Sequence, residues 1–295
     1  MKRRATQRSF EPEFVTGPTA KDEHEIYLQH HVPSPEAQPY HFHPTIEVNY
    51  LTDCDMTYSF SGKKVFVERN RLCVFWAAHP HRTKSVSGKG LITNAQISLS
   101  EFLRWPLPPE FRNVLLGGGV ICNKSQTASD QFLTERWAIE KVDVTDGRQS
   151  LHALEIESRL YRLALEGWNI LLEPMSVPPT KILGGNAILQ FEKMILFVCR
   201  NFSDSLTVDQ VAEAGEISVN YAISLFKSVF GRTIKQHITD VRIYHAKMLL
   251  AETDRRIVTV AMDCGFGSLS AFYDAFQSQT KNSPAVFRKG HFDET

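Results

Sequence analysis

Ser218-Val-Asn-Tyr-Ala-Ile-Ser-Leu-Phe-Lys-Ser-Val-Phe-Gly231 reads as one helix with its own start and stop. Ser218 is a strong N-cap, because its hydroxyl can accept from an amide of the first turn that has no helical partner. Gly231 is a strong stop, since it enters the left-handed conformation without steric cost. Tyr221, Ala222, Leu225, Phe226 and Val229 recur at spacings of three and four and predict the buried side. Working upstream, Thr207 caps a shorter helix whose apolar stripe is Val208, Val211 and Ala212. Gly215 then stands where a left-handed residue permits a sharp turn. A helix, a tight turn with glycine and a second capped helix make a helix-turn-helix unit.

Downstream the pattern returns. Ile257, Val260 and Ala261 form the stripe, Gly265-Phe266 the turn, and Ser268 or Ser270 the cap. Phe272, Tyr273 and Phe276 mark the buried side of the next helix. Aligned on Val211-Ala212 and Val260-Ala261, Gly215 falls opposite Cys264-Gly265 and Phe226 opposite Phe276. One such pattern is often an ordinary helical pair, whereas two in register about 50 residues apart are an internal repeat. Ile234 to Leu250 reads as a single helix between them, roughly 25 Å long at 1.5 Å per residue. A spacer of that size can hold two recognition helices near one turn of DNA apart, about 34 Å.

Charge adds little. The 295 residues contain 33 Lys and Arg against 33 Asp and Glu, so net charge does not identify a nucleic-acid partner. From Phe191 onward 12 basic residues face 12 acidic ones, fewer than a DNA-binding domain usually carries. Affinity is therefore expected to draw on dimerisation or a partner protein. The five cysteines form no CxxC pair and read as free thiols of a reducing compartment. No apolar stretch follows Met1-Lys2-Arg3-Arg4, and no run approaches the roughly 18 residues that span a bilayer. A cytoplasmic protein with no membrane partner is expected, and no Gly-rich phosphate loop or nucleophile motif suggests an enzyme.

Glu173 to Gly185 carries Pro174, Pro178, Pro179, Gly184 and Gly185 and reads as a linker. Ahead of it, Gln131 to Lys141 and Ser150 to Leu172 have helical spacing. In the second, Leu151, Leu154, Ser158, Tyr161, Leu165 and Trp168 step by threes and fours, like a coiled-coil seam. That helix either lies on its own β-domain or forms a dimer interface. From Ile46 to about Leu99 the chain breaks into β-rich segments: Ile46–Leu51, Met56–Phe60, Val65–Val67, Leu72–Trp76 and Leu91–Leu99, with a hairpin turn at Ser61-Gly62-Lys63. Short strands at this spacing suggest a sandwich or barrel. The first 40 or so residues, polar and rich in proline, read as a loose arm.

The segments Ser218 to Gly231, Arg242-Ile-Tyr-His-Ala-Lys-Met-Leu-Leu250 and Val260-Ala-Met-Asp-Cys-Gly-Phe266 through Phe287-Arg288 resemble the AraC/XylS-type DNA-binding domain. The resemblance runs from about Phe191 to Lys289 without a gap. His41-Phe-His-Pro-Thr-Ile-Glu-Val-Asn49, Phe75-Trp-Ala-Ala-His-Pro-His81, Trp105-Pro-Leu107 and Ala187 through Phe202 are similar to sugar-operon members of that family. The resemblance implies an α+β two-domain chain, with an N-terminal cupin-like β-barrel with flanking helices and a C-terminal all-α domain with two helix-turn-helix units. The expected divisions are a flexible arm over 1–25, an effector-binding barrel over 26–110 and a helical dimerisation or packing region over 111–172. A linker over 173–186 and the DNA-binding domain over 187–290 follow.

Carried onto this chain, the family's base-contacting positions are Asn220, Ile223 and Ser224, then Leu269, Ser270, Ala271 and Asp274. Asn220 can pair with adenine and Ile223 can meet a thymine methyl. Leu269 and Ala271 offer bases no hydrogen bond and Asp274 repels phosphate, so the first unit is expected to read sequence and the second to position. Lys227, Arg232, Arg242, Lys247, Arg256 and Lys281 are candidate phosphate contacts, although Arg242 and Lys247 could serve the fold instead. The expected partners are double-stranded promoter DNA, RNA polymerase, a second copy of the chain and a small effector, a saccharide by the resemblance.

In the N-terminal part, His41-x-His43-xxx-Glu47 with His81 downstream has the ligand pattern of a metal-holding cupin. Imidazoles two apart on a strand project from one face, and a carboxylate and a further His can complete a site. Two readings stand: a metal site, which would allow a cupin enzyme with a DNA-binding tail, or a histidine cluster shaping an effector pocket. The AraC-type resemblance implies the second, with no cofactor; Trp76, like Trp105 and Phe75, either stacks on an apolar sugar face or belongs to the core.

Overall fold

The computed structural model describes residues 13–14, 26–140, 148–175 and 184–292. The expected arm over 1–25 lies outside the described residues except for β1 (Glu13–Phe14), and positions 176–183 of the expected linker also lie outside them. The chain continues through β2 (Ile26–His31), β3 (His41–Phe42), β4 (Ile46–Phe60), β5 (Lys63–Val67), β6 (Leu72–Trp76) and β7 (His81–Ile97). Next come α1 (Leu99–Arg104), α2 (Pro109–Leu116), β8 (Val120–Asn123), α3 (Ala128–Ile139), α4 (Arg148–Glu166) and β9 (Trp168–Leu172). The rest is helical: α5 (Gly185–Asn201), α6 (Val208–Ala214), α7 (Val219–Phe230), α8 (Ile234–Glu252), α9 (Ile257–Asp263), α10 (Leu269–Thr280) and α11 (Pro284–Phe292). A β-sheet region followed by a helical region is the expected two-part α+β plan. Among the described residues no helix is long and apolar enough to cross a membrane.

Among the described residues nine strands form one sheet in the order β1-β3-β7-β4-β6-β8-β9, with β2 also on β7 and β5 also on β4. The path is open, where the family resemblance implies a cupin-like barrel. Its centre is the antiparallel pair of β4 and β7, which runs from Ile46↔Ile97 to Phe60↔His81. The two apolar runs expected as separate strands join because Asp53, at φ 53°, forms a bulge between them. Gly90 permits the close approach, since a Cβ there would lie 1.6 Å from the Thr52 carbonyl oxygen.

Alternation gives the sheet two buried faces. Ile46, Val48, Tyr50, Val74 and Trp76 belong to the large core that continues into the helices. Leu51, Cys73, Phe75, Ile92 and Val120 form a second, smaller core. The stretch expected as a helical region over 111–172 also contributes β8 and β9 to the sheet. Helix α4 stops before Leu172 because Gly167 turns the chain at φ +79°.

Side chains from the sheet region pack directly on side chains of α7 and α8. The His79 and Tyr244 rings stack at 3.7 Å, Phe42 meets His245 edge-on at 4.6 Å, and Trp76 lies 5.6 Å from Phe230.

Candidate functional site

The two helix-turn-helix units are near copies in local chemistry. Helices α6 and α9 have seven residues each, and α7 and α10 have twelve each. Thr207 and Gln210 form a capping box at the start of α6. Ser218 accepts from the Tyr221 amide to cap α7, and Ser268, rather than Ser270, accepts from the Ala271 amide to cap α10. Gly231 ends α7 at φ 64° and Lys281 ends α10 at φ 61°.

The turn differs from expectation in one residue. The left-handed position is Glu216, at φ 56°, while Gly215 lies at −80°. Its counterpart in the second unit is Gly265, at φ +79°. Gly215 serves close packing instead, since a Cβ there would come within 2.8 Å of Met194 Cγ on α5.

Asn220, Ile223 and Ser224 are exposed on α7, while Ala222, Leu225, Phe226 and Val229 are buried behind them. Leu269, Ser270, Ala271 and Asp274 are exposed on α10, backed by Phe272 and Phe276. Helix α8 joins the units with 19 residues, or about 28 Å of rise.

The candidate cations divide by environment. Lys227, Arg256 and Lys281 are exposed. Arg232 is paired with Asp240, which also accepts from Gln279 Nε2 at 2.6 Å. Arg242 turns inward and donates to the carbonyls of Phe202 (2.8 Å) and Asp204 (2.7 Å), fixing the loop between α5 and α6. Lys247 is buried with its ammonium 5.4 Å from the Tyr244 ring, and burial pulls its pKa down to about 8. Both side chains are thus engaged within the protein.

In the sheet region, β3 and β7 set His41 opposite His81, and the following loop and the start of β4 add His43 and Glu47. One ligating atom from each of the four lies within 4.8 Å of the others. His43 Nε2 is 2.9 Å and His81 Nε2 3.5 Å from Glu47 Oε1. Burial, together with His81, pushes His41 down to about 3. Burial alone would raise the Glu47 carboxyl, but the His43 and His81 imidazoles beside it outweigh that and hold it well below the usual range. Phe75 and Phe60 wall the cluster, with ring centroids 5.1 and 5.8 Å from His81.

Trp76 does not join this group. It pairs in register with Ile46, whereas Phe75 pairs with Glu47, and neighbouring strand residues face opposite ways. Trp76 therefore lies on the large-core face, its Nε1 donating to the Pro44 carbonyl at 2.9 Å. Sequence reasoning missed the contacts between sheet and helices, made by Tyr40, His79, Arg82, Tyr244 and Glu252. Their partners lie more than 160 residues apart, beyond any local pattern.

Residues 211–290 match the family described as "Helix-turn-helix domain". Over 250 residues the chain is 31% identical to the melibiose operon regulatory protein of Escherichia coli (strain K12), covering 84% of this chain and 83% of that one. It belongs to the AraC/XylS-type family of transcription regulators. A further relative is the HTH-type transcriptional activator RhaS of Mannheimia succiniciproducens, 27% identical over 104 residues, which are 35% of this chain and 39% of that protein. Among solved structures, the DNA-binding domain of AdpA in complex with a target DNA covers 36% of this chain and 95% of its own length, at 24% identity and a TM-score of 0.35. As an AraC/XylS-type regulator the chain is a sequence-specific DNA-binding protein, and its duplicated helix-turn-helix is the DNA-binding part.

Proposed function

We propose that this regulator binds promoter DNA of a carbohydrate-utilisation operon as a homodimer in the cytoplasm and activates transcription by engaging RNA polymerase. The observation that carries the DNA reading is the pair of twelve-residue helices, each capped by Ser and each with its expected reading residues exposed. Asn220, Ile223 and Ser224 read bases, while Leu269, Ser270, Ala271 and Asp274 seat the second helix with little sequence information. Lys227, Arg256 and Lys281 meet phosphates. The carbohydrate assignment rests on the likeness to the melibiose operon regulatory protein.

The work divides along the chain. Residues 26–110 form the effector-binding part, and 111–172 provide dimerisation. The stretch 173–186 links these to the DNA-binding domain over 187–290. A small effector, a saccharide by the same likeness, acts in the N-terminal part, where His41, His43, Glu47 and His81 are the nearest polar cluster. Dimerisation is supported by α4, whose Leu154 and Leu165 are 61% and 71% exposed while Ile156, Leu160 and Leu163 on its other side are buried. This is the outward stripe that a coiled-coil partner covers. No catalytic step is assigned. Footprinting on the chain's own upstream DNA tests the reading. Two protected major-groove patches about one helical turn apart per chain support it, and one patch only, or no preference over random DNA, overturns it.

A further inference from the structure

We infer that His41, His43, Glu47 and His81 hold one divalent first-row transition-metal ion, and that this ion secures the strands that grip the helix between the two recognition helices. Four donors whose ligating atoms lie within 4.8 Å of one another span an ion more readily than a sugar ring. Bonds of about 2.0–2.2 Å at tetrahedral angles place ligand atoms roughly 3.4 Å apart, so the cluster closes on an ion by contracting about 1.4 Å at its widest.

The outer atom of each donor is already engaged. His43 Nδ1 lies 2.6 Å from Thr45 Oγ1, His81 Nδ1 2.9 Å from the His79 carbonyl and His41 Nδ1 3.4 Å from the Pro39 carbonyl. Glu47 Oε2 accepts from Asn49 Nδ2 at 3.0 Å and Asn94 Nδ2 at 3.1 Å. A carbonyl holds a proton on Nδ1 of His41 and His81, and the Thr45 hydroxyl can do so for His43 as acceptor, which leaves the Nε2 lone pairs facing inward, as metal-binding histidines require. The Nε2 atoms of His43 and His81 are buried and make no aligned hydrogen bond, although both face Glu47 Oε1. An ion beside that oxygen would satisfy all three. Three imidazoles and one carboxylate suit zinc, iron(II) or manganese, and not calcium or magnesium, which take shells of oxygen. Four protein ligands can close a tetrahedral shell, as structural sites do.

The residues flanking two of these ligands reach α8. Tyr40 and Phe42, on either side of His41, bond Glu252 and pack on His245. His79 and Arg82, close to His81, stack on Tyr244 and pair with Glu252. Drawing His41 and His81 onto one ion therefore braces both strands that hold this helix.

Metal content of the full-length chain, purified without chelator, and titration of the stripped chain with cobalt(II) test the site without DNA. A failure of the DNA reading would thus leave it standing. We expect about one ion per chain and visible d–d absorption with cobalt(II). Asn94→Ala, which keeps all four ligands, should weaken cobalt binding about 10- to 100-fold, and Glu47→Gln should remove the absorption. Amide exchange of α8 should slow several-fold when cobalt is added. A purified chain with less than a tenth of an ion and no cobalt absorption overturns the site, as does absorption unchanged in Glu47→Gln. Metal binding with unchanged exchange in α8 overturns the bracing.

Discussion

Tyr40 donates its phenolic proton to Glu252 at 3.0 Å, across 212 positions of sequence. Arg82 completes the arrangement, pairing with the other Glu252 oxygen at 2.7 Å while its guanidinium lies 4.6 Å from the Tyr40 ring centre. Glu252 is the last residue of α8. The end of the helix that sets the spacing between recognition helices is thus held by the strand carrying His41. An effector that favours one position of that strand over another has a direct mechanical route to the DNA-binding part. Coupling requires only that the effector bind the two positions unequally.

The clearest specificity test is Asn220→Ala. One exposed amide reading adenine contributes about 1–3 kcal/mol of discrimination. Competition binding against single-base operator variants should show preference at one base pair falling roughly tenfold or more, while Asp274→Asn should tighten binding to all variants alike. Preference unchanged in Asn220→Ala would remove this residue from the reading face.

Cations on the DNA side and cations in the fold should separate by salt dependence. Lys227→Ala should reduce the slope of log affinity against log salt by about 1, with melting unchanged. Arg242→Ala leaves two carbonyls without their donor and should cost about 1.5–3 kcal/mol of stability, read by urea denaturation. A lower salt slope in a normally stable Arg242→Ala protein would return that residue to the interface.

If α4 pairs with its copy, charges on the exposed stripe should split the dimer. Leu154→Glu with Leu165→Glu should shift sedimentation from dimer to monomer and leave the far-ultraviolet spectrum intact, because both side chains are exposed. A wild-type chain that sediments as a monomer at micromolar concentration would assign α4 to packing alone.

Acid should loosen the contact between sheet and helices. Burial pushes His237 and His245 down to about 3, from an ordinary 6.5. A depressed folded-state value means the unfolded chain binds the proton first. Stability is therefore complete above about pH 6.5 and falls as pH drops from there toward 3, by about 1.4 kcal/mol per unit for each group. His245 lies between Phe42 and Phe202 with neither ring nitrogen hydrogen-bonded. His245→Phe should reduce the fall, measured by denaturation at pH 7, 6 and 5. An unchanged slope would show that His245 takes up no extra proton on unfolding in this range.

What the sequence determined by itself is the helical part and its face. Caps at Thr207, Ser218 and Ser268, stops at Gly231 and spacings of three and four are local physics, legible within a dozen residues. They predicted both units and the connecting helix, the repeat made the pattern specific, and the family resemblance supplied the candidate base-contacting positions on the exposed faces. Grouping His41, His43, Glu47 and His81 was also within reach, because it rests on a motif plus one downstream histidine. The tertiary structure alone decided the rest. It turned Trp76 away from the cluster, since strand register and not composition fixes which face a side chain takes. It also turned Arg242 and Lys247 inward, since burial depends on what packs above a helix. It joined Tyr40 and Arg82 to Glu252, because contacts over such separations leave no periodic trace in the chain.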